Sequence, residues 1–397
     1  MHFFSLLLLS VISLHAVAFD RVNPDIHPGF TPSTTGAEGG IWMVMDNVED
    51  KLKSSSLRIL EGPLEAYLQQ IVCRLATDYC EDIRVYVIRA PYFNATMAPN
   101  GMMQVWTGLL LRTQNESQIA TVLGHEIGHY LKKHSLAQFE SIKKKSAWAS
   151  VMSIGLGAGV AAGGVSANVG NWSSSIGQLA MIASIYSYSR GAESEADKYG
   201  IQLLADAGYA AFDAAKIWDK VLAEEDSADN PRDAQFYFFR SHPSPEKRSE
   251  TLSAYAQALQ SENSVYGVTV SDDFTKIVDP YLDILIEDQI NLGDFGRSEY
   301  VLNALRASGR ERQLVSYYLG ELYRKRNEDG DINRAMAYYE ESASGAKPHA
   351  EALRALGMIH LKSKEKDAAR SYFDRYLTSL PDASDRKMIE YYIRTIQ

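Results

Sequence analysis

The sequence predicts an α+β architecture, mostly helical with one small sheet, followed by an all-α array of helix pairs. Three observations carry that prediction. Ile119, Val122, Leu123, Ile127, Tyr130 and Leu131 recur at i, i+3 and i+4 spacing, the mark of a helix with one apolar side. Arg84 to Arg89 and Met102 to Thr107 read instead as strands, separated by a loop whose Pro91, Asn94, Pro99, Asn100 and Gly101 supply turn chemistry. Toward the C-terminus, Leu-Gly, alanine and aromatic positions return at the intervals of a helix-pair repeat. The 397 residues suffice for two domains, and the net charge of −10 argues against a nucleic-acid partner.

Phe3 to Val17 is an apolar run ending in Ala16-Val17-Ala18, the form of a signal peptide (residues 1–18) cleaved near Ala18, although only His2 precedes the run. Residues 19 to about 55 are rich in Gly, Pro, Asp and Thr and read as an extended or partly mobile lead-in. A helix is expected over roughly 63–78. Cys73 and Cys80 would lie roughly 10 Å apart in an unbroken helix, too far to bridge, whereas a helix ending near Asp78 lets the chain fold back into a disulfide. Of the two strands, the second, Met102 to Thr107, reads either as an edge that pairs with an extended peptide or as a purely structural strand.

The helix after the sheet carries His125-Glu126-Ile127-Gly128-His129. Residues i and i+4 share a helix face, so both imidazoles can bind one metal ion while Glu126, roughly 100° away, stays free as a base. Thr113 with Glu116 reads as a capping box fixing where this helix starts. No charged residue occurs from Ser146 to Ser189, and the polar breaks at Ser166, Asn168 and Asn171 favour a loop over the site rather than a membrane hairpin. That stretch, over residues 147–189, could still touch a membrane or a partner peripherally. The next helix offers Glu193 and Asp197 on one side together with Gly200 and Leu204, which makes Glu193 the third ligand and Asp197 a carboxylate that orients a ligating histidine.

His-Glu-x-x-His, then Glu193-x-Glu195-Ala196-Asp197, then Ser241-His242-Pro243 with Arg248 six residues past the histidine, together resemble the HtpX and CAAX-prenyl-protease superfamily of zinc endopeptidases, of the gluzincin type. The metzincin pattern does not fit, because Lys132 and Ser135 stand where it needs glycine and histidine; His134 is one residue off and is expected to face the apolar stripe. The resemblance implies a zincin-like metalloprotease domain over residues 19–260 holding one zinc ion. It makes His125, His129 and Glu193 the ligands, Glu126 the catalytic base and Asp197 the orienting carboxylate. It also implies that His242 takes a fourth, regulatory position on the metal, displacing the catalytic water, and that Arg248 positions that loop or stabilises the transition state.

Beyond an acidic linker from Glu224 to Arg232, residues 270–397 are expected to form a tetratricopeptide array. Leu356-Gly357, Ala369, Phe373 and Pro381 mark one unit, Leu319-Gly320, Tyr323, Ala335 and Tyr339 another with its turn stretched by Asn327 to Asp331, and a degenerate unit covers 279–309. Within the superfamily the likeness is to periplasmic members with such a tail. It implies a protease degrading misfolded or stalled outer-membrane proteins and meeting their assembly machinery through the repeats. Two rivals stand beside it: a chaperone or scaffold with a latent protease, and a membrane-embedded protease using residues 147–189.

Overall fold

The computed structural model describes residues 21–60, 62–143, 188–211, 213–229, 242, 248–262, 273–345 and 347–396. The signal-peptide reading and nearly all of the uncharged 146–189 segment lie outside them. Among the described residues no helix is long and apolar enough to cross a membrane.

The lead-in is not extended throughout. Ala37–Lys53 forms helix α1, whose Ile41, Val44, Met45, Val48 and Leu52 are buried at helical spacing. Polar residues interrupt that stripe often enough for composition to hide it. Helix α2, Leu64–Leu75, ends three residues before Asp78 and passes into a short 3-10 turn, Thr77–Tyr79. That early stop brings the Cα atoms of Cys73 and Cys80 to 4.4 Å and the two are joined as a disulfide.

Three strands follow: β1 Arg84–Ile88, β2 Ala95–Met97 and β3 Met102–Trp106. Their order is β1-β3-β2, with β1 parallel and β2 antiparallel to β3. The expected edge is therefore misplaced. Met102–Trp106 is central, and among the described residues the outer strands are β1, whose far side is bridged by the Leu57 to Ile59 segment, and β2, inside the stretch whose prolines and asparagines read as loop. Val85, Val87, Ala95, Met97, Met103 and Val105 join the main core, while Tyr86, Ile88, Met102 and Trp106 pack with α1. Burial on both faces explains the near-continuous apolarity of β1 and β3.

Helix α3, Thr107–Arg112, leads to α4, Glu116–Leu131. The start of α4 is set differently from the expected capping box: Asn115 is the N-cap and accepts from the Gln118 amide at 2.9 Å, and the Gln118 side chain accepts from the Gln114 amide. Thr113 instead closes α3, donating to the Leu109 and Leu110 carbonyls. Helix α5 is His134–Lys143, α6 Arg190–Asp206, α7 Asp213–Asp226 and α8 Arg248–Glu262. Glu224 belongs to α7, not to a solvated linker: it is buried and holds Arg112 by two hydrogen bonds of 2.7 and 2.5 Å.

The tail runs through α9 Asp273–Val278, α10 Leu282–Asn291, α11 Phe295–Ser308, α12 Arg312–Arg326, α13 Asp331–Ser342, α14 Ala350–Lys362, α15 Lys366–Ser379 and α16 Arg386–Thr395. Helices α12 with α13, and α14 with α15, pack as hairpins in which a glycine meets a ring. A Cβ on Gly320 would come within 2.5 Å of Tyr339, and one on Gly357 within 2.5 Å of Phe373. The core is continuous across the two halves of the chain. Asp288 of α10 takes both Nε and Nη2 of Arg89 at 2.7 and 2.8 Å, Gln289 accepts from Arg112 at 2.8 Å, and Arg310 donates to the Thr113 carbonyl at 3.0 Å.

Candidate metal centre

Helices α4 and α6 meet at small residues. A Cβ on Gly128 would lie 2.9 Å from the Ala196 carbonyl oxygen, and one on Gly200 2.9 Å from the His125 amide nitrogen. The backbones are thus in contact at the level of the motif, which sets Glu193 and Asp197 of α6 against His125 and His129 of α4. The cap of α6 fixes its first turn, since Ser189 accepts from the Ala192 amide.

The ring Nε2 atoms of His125 and His129 are 3.0 Å apart. Glu193 Oε1 lies 3.5 Å from His129 Nε2, and its Oε2 lies 3.6 Å from His125 Nε2. His242 enters the same point: its Nδ1 is 2.9 Å from Glu193 Oε1 and 3.2 Å from His125 Nε2. One ligand atom from each of these four residues falls within 4.8 Å of all the others, and all four residues are buried. Glu126 stands beside them, with Oε1 3.5 Å from His242 Nε2 and without a hydrogen-bond partner among the described residues. Glu193 Oε2 likewise has none. Two buried carboxylate oxygens that lack a donor, set beside three imidazoles converging on one point, fit a cation.

The outer nitrogens are also held. Asp197 Oδ1 is 2.8 Å from His125 Nδ1. Arg248 donates to Asp197 at 2.5 and 3.1 Å, reaches His125 Nδ1 at 2.8 Å, and lies 4.0 Å over the Trp218 ring. The structure thus brings together all seven residues singled out in the sequence. It sets Arg248 against Asp197 and His125.

Electrostatics prepare the imidazoles as neutral donors. Burial, then the Arg248 charge, lowers the pKa of His125 to about 4, and burial lowers that of His129 well below the usual histidine value. Burial raises Glu126 to about 7. Burial would raise Glu193 and Asp197 as well. In Glu193 it is outweighed by His242 and His129, and in Asp197 by Arg248 and His125, so both are held below the usual carboxylate range.

Other neighbours were not anticipated. Tyr188 stacks on His129, ring centroids 3.8 Å apart, and its hydroxyl is 2.8 Å from Ser135 Oγ, which donates to the Met97 carbonyl of edge strand β2. His134 is not turned to the apolar stripe. Helix α4 stops at Leu131, Lys133 takes a left-handed φ of 53°, and His134 returns against His129 with Nδ1 2.9 Å from Nδ1. A continuing helix would have carried it away, and nothing in the sequence marks the break at Lys133. Trp218 gave no signal either.

The model of Peptidase family M48 matches residues 61–256. The chain carries a peptidase family M48 domain. Similar proteins include the mitochondrial metalloendopeptidase OMA1 of Arabidopsis thaliana, 31% identical over 48% of this chain and 35% of that one. A putative beta-barrel assembly-enhancing protease of Vibrio cholerae is 29% identical over 50% of this chain and 40% of its own, and the beta-barrel assembly-enhancing protease of Escherichia coli is 26% identical over 57% and 45%. The matches to these relatives span less than half of each relative's length. The M48 domain takes zinc, and three imidazole nitrogens with one carboxylate form a donor set suited to it.

Proposed function

We propose that the chain is a zinc-dependent endopeptidase of the periplasm that degrades misfolded or stalled outer-membrane proteins. The observation that carries the hydrolytic reading is the convergence of His125 Nε2, His129 Nε2 and the Glu193 carboxylate beside Oε1 of Glu126, which has no hydrogen-bond partner among the described residues. Bound zinc supplies Lewis acidity toward water and a scissile carbonyl. Glu126, its pKa raised by burial, receives a proton from the attacking water and delivers it to the leaving amine. Asp197 holds the His125 ring through Nδ1, and Arg248 holds Asp197. Strand β2, an outer strand of the sheet among the described residues, offers main-chain groups to an extended substrate.

Location and substrate rest on the leader signature of residues 1–18, on the family resemblance and on two relatives named for β-barrel assembly. The residue 270–397 tail, read as tetratricopeptide repeats, would engage the assembly machinery; its glycine-on-ring hairpins support that reading. The position of His242 favours a second component, a protease held latent while the tail acts as scaffold. Glu126→Gln tests the core of the proposal. It should keep one zinc per chain and lose cleavage of an unfolded protein by about 100-fold or more; full activity would sink the assignment.

A further inference from the structure

We propose that His134, anchored by Glu195, is a positioning residue that fixes the tautomer and orientation of His129; this rests on the metal-centre reading above. His129 can give Nε2 to a metal only with its proton on Nδ1, and that nitrogen then needs an acceptor. Nδ1 of His134 lies 2.9 Å away. If it accepts, the His134 proton sits on Nε2, which faces Glu195 Oε2 at 3.2 Å. Lys132 holds the same carboxylate at 3.2 Å while also pairing with Asp25 at 2.7 Å.

The two ligating histidines are therefore supported by different chemistry. His125 has the buried carboxylate of Asp197; His129 has an imidazole backed by a half-exposed carboxylate. The left-handed turn at Lys133 makes the return possible, and the Lys133 ammonium over Phe30 at 3.9 Å, also 3.0 Å from Glu38, secures it. Tyr188 stacked on the face of His129 leaves the His134 contact to set rotation in the ring plane.

The test measures zinc affinity of the full chain by competition with a chromophoric chelator, the visible spectrum of the cobalt-loaded chain, and apo-protein melting. His134→Phe, which keeps bulk and removes the acceptor, should weaken zinc about 10–100-fold and alter the cobalt bands while apo melting stays close to wild type. His134→Asn, whose Oδ1 approximates the lost Nδ1, should recover most of the affinity. Glu195→Gln, an isosteric change at a half-exposed position, should weaken zinc less than His134→Phe and carries the test if that variant does not fold. Wild-type zinc affinity and cobalt bands in His134→Phe, or in Glu195→Gln when His134→Phe fails to fold, overturn the role. A wild-type chain that takes up no zinc overturns the metal reading and this role with it.

Discussion

His242 Nδ1 approaches Glu193 Oε1 to 2.9 Å, from a segment far beyond both metal-site helices in sequence. The same ring presents Nε2 to Glu126 at 3.5 Å, so it stands between the converging ligands and the base. In the latent state proposed above, the catalytic water and this imidazole compete for one place. Replacing His242 with Ala should raise cleavage of an unfolded substrate several-fold while zinc content stays at one per chain. Lower turnover with unchanged zinc would show that His242 assists the reaction instead of restraining it.

Contact between α4 and α6 sets where Glu193 stands. At Gly128 a methyl group would meet the Ala196 carbonyl at 2.9 Å, and backbone cannot swing aside as a side chain can. Gly128→Ala should cost about 1–3 kcal/mol of stability and weaken zinc, because α6 must retreat and take its carboxylate along. Thermal melting and chelator competition on one preparation check both effects. Unchanged values would mean that the helices are not held at this separation.

These particulars show what the sequence could convey. The motif helix was legible because its apolar positions repeat at one period, and Glu193 with Asp197 because a second helix placed them on one side. Strand β2 was not, since three residues among prolines and asparagines carry no alternation and are recognised only by pairing with β3. Glu224 reads as linker in an acidic run and is a buried partner of Arg112 in space. His134 depends on a chain reversal at Lys133 that no propensity rule places at a lysine.

The continuity of the core makes the tail's first helices part of the protease fold. Phe274, Val278, Leu282, Leu285 and Ile286 share one buried cluster with Leu109, Leu110 and Leu111. Full burial of such side chains contributes about 1.5–3 kcal/mol each, so losing five rivals the whole stability of a domain, roughly 5–15 kcal/mol. A chain ending at Glu262 should therefore lack cooperative melting, whereas one ending at Glu311 should retain it. Deletion of residues 270–397 is then unsuited to separating tail function from proteolysis. A well-folded, zinc-binding chain ending at Glu262 would refute the shared core.

Acid should test the preparation of the imidazoles. His125 is held at about 4 in the fold against about 6.5 in an unfolded chain, and His129 is lowered in the same direction. The unfolded chain thus binds protons first as pH falls. These histidines make no pH-dependent demand on the apo fold above pH 6.5, and their contribution to stability declines from there toward pH 4. Because the folded rings stay neutral through that window, protons compete weakly with zinc until the pH nears 4. Zinc release followed with a chromophoric chelator should accordingly have its midpoint well below 6.5, and apo melting should fall across pH 6.5 to 4 more steeply in wild type than in His125→Gln. Release centred near 6.5 would show that burial does not shield these rings.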